Sequence, residues 1–294
     1  MRLMPGLTLL SPSDPDPVRS VCKYSQESPF LLIGDHAGTA IPAALGDLGL
    51  SAGNRGRHIA VDLGMERMGT LLSEHLQAPF VWQTYSRLVA DCNRDPDAPD
   101  WAAQVSDGIQ VPGNQGLEPA DLAARRDEVF EPYHAAIADL LNWRGEQGIE
   151  TILISLHSFT PIMQGKPRPW EICVLHDGRR DEFARDVLTN LQKDGSRRRR
   201  QRAIRYGRYR LNRATPCILA GHTRCWSGFR IGHLRRHDLG AKDRGLCRMC
   251  PQPGRRLPAH PRCSTDGAAI EPRKQRRVAD VVAKGIVLQS SREQ

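Results

Sequence analysis

No stretch of this chain approaches the ~18–20 consecutive apolar residues of a membrane span. The apolar run at residues 7–10 is cut off by Pro12, Asp14 and Pro15, too early for a signal-peptide core. The expected location is therefore cytoplasmic, with no membrane partner. The eight cysteines form no secreted disulfide framework: Cys22, Cys92 and Cys173 are scattered, and five others crowd the C-terminal third. There is no internal repeat, and no G-x-S-x-G nucleophile elbow is present. Acidic residues almost run out after Gly195. Up to that point there are 17 Lys and Arg against 27 Asp and Glu, a net charge of −10; beyond it there are 25 against 6, a net of +19.

The two parts also differ in pattern. Residues 1–28 are polar and proline-containing and read as a loose lead-in. Residues 29–192 alternate apolar runs with helical periods. Strands are expected at 30–33, 79–82, 150–156 and 171–175, and helices at 58–76, 119–143 and 181–191. This order predicts an α/β fold, a mostly parallel or mixed sheet with helices on both faces. The segment 91–116, rich in Asp, Pro, Gly and Asn, is a long loop, and loops of that length are usually functional or disordered. Residues 193–294 form a basic, Arg- and Cys-rich tail. Its only amphipathic stretch is near 278–288, so it is expected to be poorly ordered.

Two histidines stand where apolar strands run out, in Phe30-Leu-Leu-Ile-Gly-Asp-His36 and in Thr151-Ile-Leu-Ile-Ser-Leu-His157. Catalytic groups of open α/β sheets gather at the carboxyl ends of strands. Two imidazoles placed there can share one divalent metal, with zinc the first choice. A catalytic zinc takes three protein ligands and keeps one position open. Asp62 is a candidate third ligand, and Glu66, one turn on, is another; the plain alternative for both is a solvated helix face. Arg87, Asn93 and Arg94 begin the long loop and suit an acidic substrate, because guanidinium pairs bidentately with carboxylate. The plain alternative is a set of surface ion pairs with Asp91, Asp95 and Asp97, which stabilise little. A Ser-His-Asp reading would use Ser155 or Ser158 with His157. In the tail, Cys247-Arg-Met-Cys250 lies near His233, His237, His260 and Cys263, an incomplete zinc pattern in basic surroundings.

The segments Gly34-Asp-His-Ala-Gly-Thr-Ala-Ile-Pro42, Tyr85-Ser-Arg-Leu-Val-Ala-Asp-Cys-Asn-Arg94, Gly113-Asn-Gln-Gly116 and Ile154-Ser-Leu-His-Ser-Phe159 come in an order that resembles the N-formylglutamate amidohydrolase family. The resemblance spans about residues 28–192. It implies a core similar to zinc carboxypeptidases, with His36 and His157 on the metal. It also implies that Asn93 and Arg94 hold the substrate carboxylate, and that Arg87 is a second anion contact or oxyanion stabiliser. The implied substrate is a small N-acyl acidic amino acid such as N-formyl-L-glutamate, cleaved to glutamate and formate; no specific nucleic acid is expected. Thr39 stands where the carboxypeptidase pattern has its ligand Glu.

The family's acidic strand of the type E-I-R-Q-D-L-I is missing from this chain. We read the gene as having lost its frame between about residues 191 and 199. Shifted by one base from Arg199, the codons permit Gly-Asp-Asn-Glu-Pro-Tyr-Ala-Met-Asp-Gly-Thr-Asp, then Ser or Leu, then Thr-Val-Pro-Arg-His-Ala, ending at Cys217. That string is similar to the family's G-D-N-x-P-Y followed by T-x-x-x-H-A. The same frame permits Glu-Leu-x-Ile-x-x-Asp-Met-Ile from Arg230. On this reading the catalytic glutamate base is not encoded and the activity is impaired. Two other readings are a succinyl- or acetyl-amino-acid hydrolase and a basic nucleic-acid-binding protein acting through the tail.

Overall fold

Five consecutive residues, Phe30–Gly34, are all buried. A strand apolar on both sides needs cover on both sides. Phe30 and Leu32 enter one core with Met68 and Leu72, while Leu31 and Ile33 enter a second core with Tyr133, Ile137 and Leu141. The computed structural model describes residues 8–21, 28–163, 165–167, 172–176, 182–193, 201–205, 224–225 and 229–232.

In chain order the first half contains β1 (Val18–Val21), β2 (Phe30–Gly34), α1 (Ala52–Arg55), α2 (Met65–Leu76) and β3 (Phe80–Gln83). A small hairpin follows, β4 (Val105–Ser106) and β5 (Ile109–Gln110), then α3 (Pro119–Arg125), a π-helical turn (Arg126–Phe130) and α4 (Glu131–Glu146). The second half has β6 (Ile152–Phe159), the short pair β7 (Ile162–Met163) and β8 (Lys166–Pro167), β9 (Ile172–His176), α5 (Glu182–Lys193), β10 (Gln201–Arg205), β11 (Arg224–Cys225) and β12 (Phe229–Gly232). The main sheet runs β1-β3-β2-β6-β12-β9-β10, with β11 also paired to β6. The β3, β2, β6 and β12 neighbours are parallel, as are β9 and β10; β1 against β3 and β12 against β9 are antiparallel. The fold is thus a mixed α/β sheet, with α2 and α5 over one face and α4 over the other.

Several expectations shift in detail. The predicted helix over 58–76 starts only at Met65, because 58–64 turns to bring Asp62 back onto the His36 carbonyl, with Asp62 N–H donating to it at 2.9 Å. The lead-in is not loose over its described part. Leu9 is fully buried, Glu128 accepts from the Leu9 and Leu10 amides at 2.7 and 2.8 Å, and β1 pairs with β3. Three short segments of the basic tail lie in the sheet; the amphipathic stretch near 278–288 lies outside the described residues. Among the described residues no helix is long and apolar enough to cross a membrane.

Of two buried arginines, Arg125 braces the loop that carries Arg87 and Asp91, and Arg144 ties together the starts of β2 and β6. Arg125 donates to Asn114 Oδ1 at 2.8 Å and to the Val89 carbonyl at 3.2 Å; Arg144 donates to Thr151 Oγ1 and the Ser28 carbonyl, each at 2.7 Å. Burial pulls both guanidiniums down to about 10, so both stay charged at neutral pH.

Gly38 is where the turn after β2 meets the segment after β3. A Cβ there would stand 2.1 Å from the Thr84 carbonyl oxygen. Backbone cannot yield as a flexible side chain can, so Gly38→Ala is expected to cost about 3 kcal/mol by overpacking. Gly53→Ala, whose Cβ would meet only Ser51 Oγ at 3.8 Å, should cost nothing measurable. Urea unfolding of both variants checks this; equal midpoints would remove the account.

Candidate active site

The β2–β6 register pairs Ile33 with Ser155, which brings the turn after β2 level with the end of β6. His36 comes from that turn and His157 from within β6, and their ring centroids are 5.0 Å apart. The loop before α2 delivers Asp62 between them. All three side chains are buried.

Hydrogen bonding orients both rings. His36 Nε2 lies 2.7 Å from Asp91 Oδ1, and an ionised carboxylate only accepts, so Nε2 donates. Ser155 Oγ lies 2.9 Å from Asp35 Oδ2 and 3.0 Å from His157 Nε2. Its single proton goes to Asp35, and His157 Nε2 also lies 3.2 Å from Asp35 Oδ2. Both Nδ1 atoms turn toward Asp62. His157 Nδ1 faces Asp62 Oδ2 at 2.8 Å and His36 Nδ1 faces the same oxygen at 3.5 Å. His36 Nδ1 is buried without a hydrogen-bond partner.

A divalent cation could take the place of a proton shared among these three atoms. The three ligand atoms lie within 4.8 Å of one another, near the ~4 Å maximum separation of two atoms each bonded at about 2 Å to one zinc. Two imidazoles and one carboxylate are a donor set suited to catalytic zinc. Each ring is also held from behind by a carboxylate, Asp91 for His36 and Asp35 for His157, the arrangement that orients metal-binding histidines. His36, Asp62 and His157 can therefore hold a divalent metal.

The charges agree with this reading. Burial alone would raise the carboxyls of Asp35, Asp62 and Asp91. For Asp35 the bond from His157 and the nearby imidazoles outweigh it and hold the group at about 2. For Asp62 the two histidines do the same, and for Asp91 His36 and Arg87 do, leaving both well below the ordinary carboxylate range. Burial and Arg87 push the His36 imidazole down, but Asp91 and Asp62 win, so it holds a proton more readily than usual. Three buried carboxylates against two guanidiniums leave an excess of negative charge that a divalent cation reverses.

Arg87 donates to Asp91 Oδ2 at 2.9 Å and to Asp62 Oδ1 at 3.4 Å. Arg94 donates to the same Asp91 oxygen at 3.0 Å and pairs with Asp100. Its side chain is 42% exposed, so it stands at the solvent mouth of the buried cluster. Asn93 Nδ2 lies 3.5 Å from His157 Nε2. The structure thus gathers His36, Asp62, His157, Arg87, Asn93 and Arg94 in one place. It does not bring Glu66 there: that carboxylate is half exposed on α2, with Arg19 3.9 Å away. Ser155 does touch His157, but its hydroxyl donates to the Asp35 carboxylate at 2.9 Å. The tail residues Cys247, Cys250, His233, His237, His260 and Cys263 lie outside the described residues.

Asp91, which entered the sequence reading only through the surface ion-pair alternative, is buried and central. Asp35, Ser155 and Tyr133 had not been singled out as a group. Two spacings could have flagged part of it: Asp35 adjoins His36, and Ser155 shares a strand face with His157 two residues on.

Known proteins share this fold. A gene product of Agrobacterium tumefaciens of known structure superposes with a TM-score of 0.70 at 26% identity, covering 97% of this chain and 100% of its own. The N-formylglutamate amidohydrolase of Ralstonia eutropha superposes with a TM-score of 0.51 at 16% identity, covering 93% and 99%, a likeness of fold. No curated protein matches the chain. The profile of the N-formylglutamate amidohydrolases matches residues 28–215, past the interval in which the frame change was expected. With most of its length inside that match, and with the paired histidines and arginines on it, the chain belongs to the N-formylglutamate amidohydrolase family.

Proposed function

We propose that this site is built for metal-dependent hydrolysis of an N-acyl acidic amino acid such as N-formylglutamate, and that the present chain performs it poorly. The observation that carries the first part is the convergence of His36 Nδ1 and His157 Nδ1 on Asp62 Oδ2, beside two guanidiniums. The fold likeness to a Ralstonia eutropha protein named for this activity supports the same reading.

His36, Asp62 and His157 would hold zinc or another divalent metal. When bound, such an ion supplies a Lewis acid that polarises the amide carbonyl and acidifies water. With a cation on the Nδ1 side, Asp91 and Asp35 would accept from the two Nε2–H groups and hold the rings in place. Arg94 and Asn93 hold the substrate carboxylate, a pairing that guanidinium geometry favours. Arg87, bridging Asp62 and Asp91, stands where it can meet a second carboxylate or the developing oxyanion. A carboxylate base must still take a proton from water. Asp35, Asp62 and Asp91 are engaged as described, and the tail segments 201–205, 224–225 and 229–232 contain no acidic residue. Residues 29–192 are thus the incomplete hydrolase domain, and 193–294 its out-of-frame tail.

The test is zinc titration of the full chain by chelator competition, followed by a formate-release assay with N-formyl-L-glutamate. Zinc binding that disappears in the His36→Ala, His157→Ala double variant is expected, with slow formate release. No zinc binding would sink the metal reading, and a turnover typical of enzymes would sink the impairment. N-acetyl- and N-succinyl-glutamate in the same assay separate the neighbouring acyl specificities.

A further inference from the structure

The segment between Arg94 and Trp101 folds back to the place it left. Trp101 is buried with its ring edge-on to Phe130, and its carbonyl accepts from the Asp91 amide at 3.2 Å. The Trp101 amide donates to the Ala98 carbonyl, and the Ala98 amide to the Asp95 carbonyl. Asp100, one residue before the anchored tryptophan, is thereby brought against the Arg94 guanidinium. Arg94 uses two different edges. Its Nε donates to Asp91 Oδ2 at 3.0 Å, inside the site, and its Nη1 pairs with Asp100 at the mouth, where that side chain is 55% exposed. Asp91 is also bound by His36, by the Asn93 amide and by Arg87, so the inner edge of Arg94 is fixed whatever happens at the outer one.

We infer that Asp100 is a built-in rival of the substrate carboxylate: it holds the outer edge of Arg94 that an acidic ligand needs, and so sets how tightly that ligand binds. The inference rests on the reading of Arg94 as a substrate-binding residue. A guanidinium grips a carboxylate best through two parallel N–H bonds. With Nε committed to Asp91, the remaining edge for such a pair is the one that includes Nη1, the atom Asp100 holds. An incoming carboxylate therefore has to displace Asp100 and meets its negative charge while doing so. Asp100 also helps to order Arg94, which favours binding. That contribution is the smaller one, because an exposed pair stabilises little and Asp91 already fixes the same guanidinium from the buried side. The net action of Asp100 is to weaken binding. Asp97 carries the same charge in the same loop but is turned to Arg126, 2.8 Å away, which makes it a matched contrast.

Calorimetric titration of glutarate, a dicarboxylate with no amide to hydrolyse, into the full-length chain at a fixed zinc concentration reads the affinity. Asp100→Asn should bind glutarate about 5–10-fold more tightly, the effect of one unit charge close by and near water. Asp97→Asn removes an equal charge from the same loop and should change the affinity by less than about 2-fold, because exposed charges at a distance are screened. In an Arg94→Ala background the gain from Asp100→Asn should largely vanish, since the two residues act through one pair. Equal or weaker binding by Asp100→Asn than by the unaltered chain would overturn the inference and leave Arg94 as a ligand for acids. The same gain in Asp97→Asn, or with Arg94 removed, would also overturn it, because Asp100 would then act as bulk surface charge. Glutarate bound by none of these proteins would sink the acidic-substrate reading of the site, and the inference with it.

Discussion

Asp62→Asn is expected to lower zinc affinity by about 100-fold or more. Structural zinc sites gain roughly 10–16 kcal/mol from four ligands, so one anionic ligand is worth about 3 kcal/mol, or about two decades in Kd. Asparagine keeps an oxygen in place but not the charge. Asp62 Oδ2 is the atom that both Nδ1 atoms approach, and Arg87 occupies the other oxygen. The neutral variant therefore also leaves Arg87 facing the cation with less negative charge between them. Chelator competition reads the affinity directly. Glu66→Gln serves as the contrast, since that side chain is half exposed near Arg19 and should leave the affinity unchanged. An Asp62→Asn protein that binds zinc as tightly as the unaltered chain would remove Asp62 from the ligand set.

The difference between Asp62 and Glu66 also marks where sequence reading stops. Both carboxylates fit a helical pattern beginning near residue 58. Only the fold shows that 58–64 is a turn hydrogen-bonded back to His36, which aims Asp62 inward and leaves Glu66 on the first turn of α2. The histidines were legible because they follow uninterrupted apolar runs, and a strand buried on both faces leaves few other assignments. Arg87, Asn93 and Arg94 were legible as a cluster of one chemistry. Asp91 was not, because an aspartate among arginines looks like a surface ion pair unless its burial is known. Tyr133 was visible only as one apolar position on a helix. Its hydroxyl donates to Asp35 because α4 crosses the sheet near the β2 turn, a contact between residues almost a hundred apart. The π-helical turn likewise has no local sequence mark, since Arg126–Phe130 reads as ordinary helix.

The largest expected effect concerns the tail. A gene with its frame restored between codons 191 and 199 should yield a protein that releases formate from N-formyl-L-glutamate about 10²–10⁴-fold faster than this chain, the range attributed to a positioned general base. The sheet says where that base would enter. β12 lies between β6 and β9, and Arg230 stands at the register position beside His157. The shifted frame permits glutamate at the codon of Arg230. Restoring it would exchange a cationic residue for an acidic one at the register position beside a proposed metal ligand. That single exchange moves the local charge by two units in the direction a base and a divalent cation both need. Arg230→Glu in the present frame isolates this term and should recover only part of the rate, because the neighbouring strand β10 and the rest of the tail keep their altered sequence. Parallel formate assays on the three proteins, each loaded with zinc, decide the matter. Equal rates for the present and restored chains, or codons at 199–217 that forbid the Gly-Asp-Asn-Glu-Pro-Tyr reading, would show that the tail is native and that the base must be sought among Asp35, Asp91 and residues not yet assigned a role.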